Sequence, residues 1–179
     1  SPPALQTPEN GSSNQSTDVT LEWNSVTLAT SYNLQVSTDE SFTDLVVDST
    51  GIFGTTYDLN GLDYSTMYYW RVSSNTTVVT SNWSDAWNFT TAPEPPPAPA
   101  LTSPANNSVD QPMALTLSWE DTERAETYQL QVATDTNNVV IDTSGLSQTS
   151  FELQDLQNNT TYYWRVSASN AGGTGDWSA

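Results

Sequence analysis

The chain contains two copies of one sequence pattern, and this duplication constrains its fold more than any other feature. Residues 20–23 (TLEW) return as residues 116–119 (TLSW), which lie 96 positions later (119 − 23). Residues 68–72 (YYWRV) return as residues 162–166 with the same letters, 94 positions later (164 − 70). A repeat of this length exceeds the roughly 20 to 50 residues of a solenoid unit, and it is large enough to form a hydrophobic core of its own. We therefore expect two tandem domains.

Short segments with a two-residue alternation predict the type of secondary structure. Residues 32–36 (YNLQV) and 68–72 (YYWRV) alternate in character along their length, as half-buried strands do. Turn signals such as Asn60-Gly61 separate these segments at spacings of about 8 to 12 residues. The fold class predicted is all-β, with two antiparallel β-sandwiches in tandem.

A proline-rich segment divides the two copies. Residues 92–99 (APEPPPAP) favour an extended polyproline II spacer, so the predicted domains are residues 1–91 and residues 100–179. The first copy continues beyond Trp83-Ser84 into a strand-like run at residues 87–91 (WNFTT), for which the second copy has no counterpart. We expect the second domain to lack its last strand. Either the chain is an excerpt from a longer array, or a neighbouring protomer donates the strand.

The charge balance restricts the partners of the chain. Three arginines stand against 21 acidic residues, with no lysine and no histidine, and the formal net charge is −18. A uniformly negative field repels nucleic acid and anionic lipid, so neither is an expected partner. No run of 18 apolar residues predicts insertion into a membrane, and cysteine is absent.

The residue types available argue against an enzyme. Without histidine, cysteine or lysine, the chain has no means to build a catalytic triad, a thiolate nucleophile, a Schiff base or a usual zinc site. The sequence predicts no cofactor. Calcium is the alternative, because two clusters of carboxylates could supply the oxygen ligands that it binds. Their members are Asp39, Glu40 and Asp44 in the first copy, and Glu120, Asp121, Glu123 and Glu126 in the second.

The repeated motifs resemble tandem fibronectin type III domains of bacterial secreted or cell-surface proteins. The matching positions are Leu21-x-Trp23, Tyr32-x-Leu34-x-Val36, and Leu62 followed by Tyr68-x-Trp70-x-Val72, each repeated in the second copy. The resemblance covers nearly the whole chain and is specific for the fold rather than the function. It implies a structural core that contains Trp23, Tyr68, Trp70, Trp119, Tyr162 and Trp164, with Tyr68 and Tyr162 as tyrosine-corner residues.

Three further tryptophans and two arginines are the candidate surface residues: Trp83, Trp87, Trp177, Arg71 and Arg165. Exposed tryptophans can stack on sugar rings, which would make this surface a glycan site. Alternatively, residues 83–87 (WSDAW) resemble the Trp-Ser motif with which some type III domains stack on arginines. Arg71 and Arg165 occupy one repeat position, and a cation–π stack is worth about 0.5 to 1 kcal/mol at an exposed site.

The leading functional hypothesis is a non-catalytic, extracellular structural or spacer module of a repetitive bacterial surface, adhesive or filament-forming protein. Its partners would be further repeats of the same chain or neighbouring protomers. The alternative is a glycan-binding or accessory linker module of a secreted polysaccharide-degrading enzyme, with polysaccharide as the partner. Type III sandwiches serve many functions, so the resemblance alone does not decide between these hypotheses.

Overall fold

The computed structural model describes residues 1–135 and 137–179, and the elements found within those ranges are all β-strands. The chain forms two compact units, Ser1–Pro93 (unit 1) and Glu94–Ala179 (unit 2). In the described ranges, no helix is long and apolar enough to cross a membrane. The predicted all-β fold is confirmed, and the linker bounds at residues 92–99 remain a prediction.

Unit 1 is a sandwich of two sheets. One sheet has the strand order β1-β3-β6, and the other has the order β2-β8-β7-β4-β5. The strands are β1 (Leu5–Thr7), β2 (Ser12–Gln15), β3 (Val19–Trp23), β4 (Ser31–Ser37), β5 (Leu45–Ile52), β6 (Thr56–Leu59), β7 (Met67–Asn75) and β8 (Trp87–Thr91).

The alternation read from the sequence explains how unit 1 builds its core. Strand β3 buries Leu21 and Trp23 and leaves Thr20 and Glu22 exposed, since successive side chains of a strand point to opposite faces. Strands β4 and β7 bury alternate residues in the same way. The fully enclosed members of this core include Leu21, Leu34, Val36, Trp70, Val72 and Phe89.

Unit 2 repeats this architecture with fewer strands. One of its sheets has the order β13-β10-β9, and the other has the order β12-β11-β14-β15. The strands are β9 (Leu101–Ser103), β10 (Leu115–Trp119), β11 (Thr127–Asp135), β12 (Asn138–Leu146), β13 (Ser150–Leu153), β14 (Tyr163–Asn170) and β15 (Gly173–Thr174). Its core contains Leu117, Trp119, Tyr128, Leu130, Val132, Leu153, Val166 and Ala168.

The described part of unit 2 contains no counterpart of β8, and the absence changes the burial of its neighbours. In unit 1, β8 pairs with β7 so that Phe89 stacks on Tyr68 and Trp87 meets Trp70 edge to face. Tyr68 and Trp70 are consequently buried. Their counterparts Tyr162 and Trp164 pack against the core of unit 2 but stay half-exposed. The expected lack of a last strand in the second domain is thus found in the fold.

Candidate functional site

An arginine in unit 1 contacts the faces of two aromatic rings. Arg71 projects from β7, and its guanidinium carbon is 3.9 Å from the ring centroid of Phe42 and 5.0 Å from that of Trp83. Partial burial here lowers the pKa of Arg71 through desolvation, although an arginine remains charged at neutral pH. The side chain is thus held as a cation over two π faces.

A glutamine fixes the orientation of this guanidinium. Gln35 on β4 lies directly opposite Arg71 in the antiparallel ladder. Its Oε1 accepts hydrogen bonds from Arg71 Nε at 3.0 Å and from Nη2 at 2.7 Å. Two donors on one acceptor set the plane of the guanidinium, which is the condition for stacking it flat on an aromatic ring.

Unit 2 reproduces the same arrangement with one ring in place of two. Arg165 on β14 places its guanidinium carbon 4.4 Å from the ring centroid of Trp177. Gln131 Oε1 accepts from Arg165 Nε at 3.0 Å and from Nη2 at 2.7 Å, and Gln131 Nε2 donates to Asp142 at 2.9 Å. Hydrogen bonds from Gln129 and Gln131, with the charge of Arg165, lower the pKa of Asp142. Each unit therefore carries an Arg–Gln pair under a tryptophan.

The serine that follows each tryptophan attaches it to the sheet. Ser84 N–H donates to Val72 O at 2.9 Å, and Ser84 Oγ accepts from Val72 N–H at 3.1 Å. Ser178 makes the same two bonds with Val166, at 2.8 Å and 3.0 Å. These paired bonds fasten Ser84 beside β7 and Ser178 beside β14, and they place the preceding tryptophan over the arginine.

The remaining candidate residues have separate places. Trp87 lies on β8, where it packs edge to face against Trp70 at 6.2 Å between ring centroids, so it does not join the Arg71 stack. Tyr68 Oη accepts a hydrogen bond from Asp63 N–H at 3.0 Å, and Tyr162 Oη accepts one from Gln157 N–H at 3.0 Å. Both hydroxyls thus meet the upstream backbone, which is the geometry of a tyrosine corner.

The first acidic cluster is organised around one carboxylate. Asp39 accepts hydrogen bonds from the backbone N–H groups of Ser41, Thr43 and Asp44 and from Ser37 Oγ. The bond from the Asp44 backbone is the main reason that the pKa of Asp39 falls from 3.8 to about 2. This carboxylate holds together the loop that carries Phe42.

The second acidic cluster is less organised. Asp121 accepts a hydrogen bond from Tyr128 Oη at 3.0 Å, and Glu123 lies 3.6 Å from Arg124. Within residues 1–135 and 137–179, no three histidine, cysteine or acidic side chains converge in a metal-binding group.

The segment that enters unit 2 is held to that unit by polar contacts. Arg124 forms an ion pair with Glu94 at 3.1 Å, and Asn170 Nδ2 donates to the Glu94 carbonyl at 2.8 Å. The Pro96 carbonyl oxygen passes so close to Gly175 that a Cβ at this position would collide with it. Glycine at 175 therefore permits the path that the prolines take.

Two surface depressions can be compared with the cleft that a carboxylate-based enzyme requires. One, of about 420 Å³, lies beside Leu146 and Phe151 in unit 2, and Glu152 is the one carboxylate that lines it. The other, of about 210 Å³, lies beside Leu5 and Trp87 in unit 1. Carboxylate catalysis of glycoside hydrolysis requires two carboxyl groups about 5 to 10 Å apart across a cleft. Neither depression offers such a pair.

Comparison with known proteins shows which fold this architecture matches. Residues 102–179 match the sequence profile of the fibronectin type III domain. The FN1–FN3 domains of chicken CNTN1 superpose with a TM-score of 0.53 at 18% identity, over 100% of this chain and 66% of that one. The fold is that of tandem fibronectin type III domains. A two-domain type III segment of chicken tenascin is 16% identical, with a TM-score of 0.45, over 99% of this chain and 97% of that one. Comparison with curated proteins gave no match.

Several residues of the arginine stacks were not singled out from the sequence. Gln35 and Gln131 stand at one repeat position, so the duplication itself contained the signal for them, whereas Ser84 was already part of the Trp-Ser motif. Phe42 has no such signal, because it lies in the loop where the two copies of the type III domain differ in length. Type III domains are generally non-catalytic structural modules and are common in extracellular proteins, which agrees with stacks that stabilise a surface rather than react.

Proposed function

We propose that this chain is a non-catalytic, load-bearing spacer of a bacterial secreted or cell-surface protein. In this role its type III domains act outside the cell by setting distance and by resisting extension, within a repetitive adhesive or filament-forming protein. The observation that carries the proposal is the parallel pairing of β2 with β8 in unit 1.

This pairing joins the second strand of unit 1 to its last strand. Ala92 N–H donates to Gln15 O at 2.8 Å, and Gly11 N–H donates to Asn88 O at 2.8 Å. The side chain of Asn10 adds a further bond, since its Oδ1 accepts from Asn88 N–H at 3.0 Å. When the two ends of unit 1 are pulled apart, parallel strands slide along each other, so these bonds are loaded together rather than one after another.

The entry into unit 2 supports the same role. The ion pair between Arg124 and Glu94 and the bond from Asn170 to the Glu94 carbonyl fasten the incoming chain to the domain. Close passage of Pro96 over Gly175 adds steric contact. A segment that is fastened in this way has fewer conformations than a loose linker, and proline stiffens it further.

Force spectroscopy of the full chain tests the proposal. Two unfolding events are expected, and the event of unit 1 should require the higher force, because unit 2 has no strand equivalent to β8 in its described residues. Substitution Asn10→Ala should lower the higher force only, since it removes a bond that bears the load. Substitution Asn24→Ala, at an exposed residue of another loop, is the matched control.

Two results would count against the load-bearing role. One is an equal unfolding force for both units, which would mean that the parallel pair carries no special load. The other is an equal effect of Asn10→Ala and Asn24→Ala on the higher force. Forced unfolding depends on the barrier to unfolding, so equilibrium stability would not substitute for this measurement.

The glycan-binding alternative has weaker support. A tryptophan that binds a sugar offers an open ring face, whereas Trp83 and Trp177 are half-buried and each has a guanidinium over its ring. Sugar stacking at these positions would have to use the opposite face or displace the arginine. No contact in the described residues favours an accessory role beside a hydrolase over the spacer role.

A further inference from the structure

One sheet edge of unit 2 is open where the same edge of unit 1 is covered by a strand. In unit 1, β8 pairs with residues 67–70 of β7. In the described part of unit 2, β14 pairs with β11 on one side, and its other side meets only β15 and Ser178, from Val166 onward. The start of β14 therefore has no strand beside it on that side.

The residues that form this edge are nearly the same in both units. Residues 68–72 and residues 162–166 both read YYWRV, and Thr66 and Thr160 stand at one repeat position. In unit 1, Thr66 N–H donates to Thr91 Oγ1 at 2.9 Å and Thr66 O accepts from Thr91 N–H at 3.0 Å. Unit 2 thus keeps the surface on which β8 lies, without a counterpart of β8 in its described residues.

A second segment encloses β8 in unit 1 from the other side. Strand β2 runs parallel to β8, with Gln15 opposite Thr91. Ala92 N–H donates to Gln15 O at 2.8 Å, and Gly11 N–H donates to Asn88 O at 2.8 Å. Strand β8 therefore lies between β7 and β2, with hydrogen bonds to both, and not on a free edge.

Unit 2 shapes the equivalent of β2 although no strand pairs with it. Residues 12–15 (SSNQ) return as residues 108–111 (SVDQ), 96 positions later (108 − 12). Asn14 has φ of 55° and Asp110 has φ of 56°. The first residue of each segment donates its N–H to the carbonyl three residues earlier, at 3.0 Å and 3.1 Å. Residues 108–111, which are all exposed, thus have the backbone form that meets β8 in unit 1.

This exposed segment is also attached to its unit in the same way. Leu156 N–H donates to Met113 O at 3.0 Å, and at the matching positions Leu62 N–H donates to Thr17 O at 3.0 Å. The space for one strand therefore remains between this segment, residues 108–111, and the start of β14. We refer to this space as the strand slot of unit 2.

A strand in the slot would bury aromatic surface that unit 2 leaves half-exposed. In unit 1, Phe89 stacks on Tyr68, and both are buried. The matching Tyr162, together with Trp164, is half-exposed in unit 2. An aromatic side chain can bury about 150 to 250 Å², so a strand that brings two of them has a large apolar driving force.

We propose that the strand slot of unit 2 binds an extended, uncharged peptide strand with the side-chain pattern of β8, Trp-x-Phe-x-Thr, supplied by a separate polypeptide. In strand addition, main-chain hydrogen bonds give affinity and alternate side chains give specificity. Residues 86–92 (AWNFTTA) have no ionisable side chain, so neither the net charge of −18 nor exposed Asp110 opposes such a strand. A second copy is a poorer source, since its own β8 is already paired on both sides.

The synthetic peptide of residues 86–92, acetylated and amidated at its ends, is the probe. Calorimetric titration of the full chain should give one bound peptide per chain, because unit 1 already holds β8. The peptide with Trp87→Ala and Phe89→Ala should bind about tenfold more weakly or worse, since it brings neither aromatic side chain.

Methylation of single backbone nitrogens distinguishes a strand that is bonded on both sides from an aromatic peptide that adheres to one surface. By the bonds of unit 1, a methyl on the Thr91 nitrogen removes the donor to Thr160 O, and one on the Ala92 nitrogen removes the donor to Gln111 O. Each should weaken binding about threefold to tenfold. A methyl on the nitrogen of Ala86, which precedes the paired residues, should have no effect.

Two measurements on the chain locate the bound peptide. Hydrogen exchange of the full chain should show that the peptide protects Asn107 and residues 160–164, while the amides of β7 are unchanged. A chain that is extended after Ala179 with the sequence of residues 86–92 should fill the slot itself and no longer bind the peptide. An extension with the same residues in scrambled order is the control and should leave binding intact.

Several results would overturn the proposal. One is a native chain that binds no peptide up to the solubility limit of the peptide. Others are an alanine peptide or methylated peptides that bind like the unmodified one, and an extended chain that still binds. Self-association of the native chain that excess peptide dissolves would assign the slot to β8 of a second copy instead of a separate polypeptide. None of these results depends on the unfolding forces measured for the spacer role.

Discussion

Removal of the guanidinium from Arg71 is the perturbation whose consequence follows most directly from the structure. The substitution Arg71→Ala removes the cation that contacts Phe42 and Trp83, and it leaves Gln35 Oε1 without its two donors. The equivalent substitution in unit 2, Arg165→Ala, removes the same glutamine contacts but only one aromatic partner. The two variants therefore form a pair that differs by one stacked ring and by the attraction between Arg165 and Asp142.

The expected magnitudes follow from those contacts. Each cation–π contact contributes about 0.5 to 1 kcal/mol at an exposed site, and a hydrogen bond to a charged group contributes about 1.5 to 3 kcal/mol before solvent replaces it. Gln35 remains partly accessible, so water recovers much of the second contribution. We expect Arg71→Ala to lower the unfolding free energy of unit 1 by about 2 kcal/mol and Arg165→Ala to lower that of unit 2 by about 1 kcal/mol.

Hydrogen exchange of the full chain, followed by mass spectrometry, reports on each unit separately. Amides of β7 should lose protection in Arg71→Ala, and amides of β14 should lose protection in Arg165→Ala. Arg71→Lys keeps the charge but lacks the planar fork, so it should fall near Arg71→Ala. Native protection in Arg71→Lys would mean that charge alone matters. Losses below about 0.3 kcal/mol in both alanine variants would refute the stacking argument altogether.

Two further predictions concern the entry to unit 2 and the loop of Phe42. Gly175→Ala should displace the Pro96 carbonyl and loosen residue 175, whose N–H donates to Ala168 O at 2.9 Å, so hydrogen exchange at residue 175 should become faster while the amides of β7 stay protected. The folded pKa of Asp39 is about 2, below its usual 3.8, so its stabilising effect is complete above about pH 4 and is lost as the pH falls toward 2. Urea unfolding at pH 2 to 5 should show a smaller pH dependence for Asp39→Asn, and an unchanged dependence would contradict the role of this carboxylate.

The sequence predicted those parts of the fold that depend on periodic burial. Trp23 and Trp119 are buried because strands β3 and β10 alternate, and alternation is visible in the letters. The partners of Arg71 were harder to predict, because a stack joins residues from different loops and strands. Trp83 had a repeated counterpart and could be found, whereas Phe42 depends on a loop whose path is set by the hydrogen bonds of Asp39.

The two copies share the residues that form their hydrophobic cores and differ in the exposed residues of their loops. Leu34 and Leu130 occupy matching core positions and are fully buried, since a change of volume in a close-packed core is costly. Leu28 and Arg124 occupy matching loop positions with nearly the same backbone, and one is apolar where the other holds Glu94. Exposed tips on a rigid sandwich can vary without such cost, so their differences report on what each end contacts. For this reason the differences between the units, more than their shared core, direct the search for partners to the exposed loops.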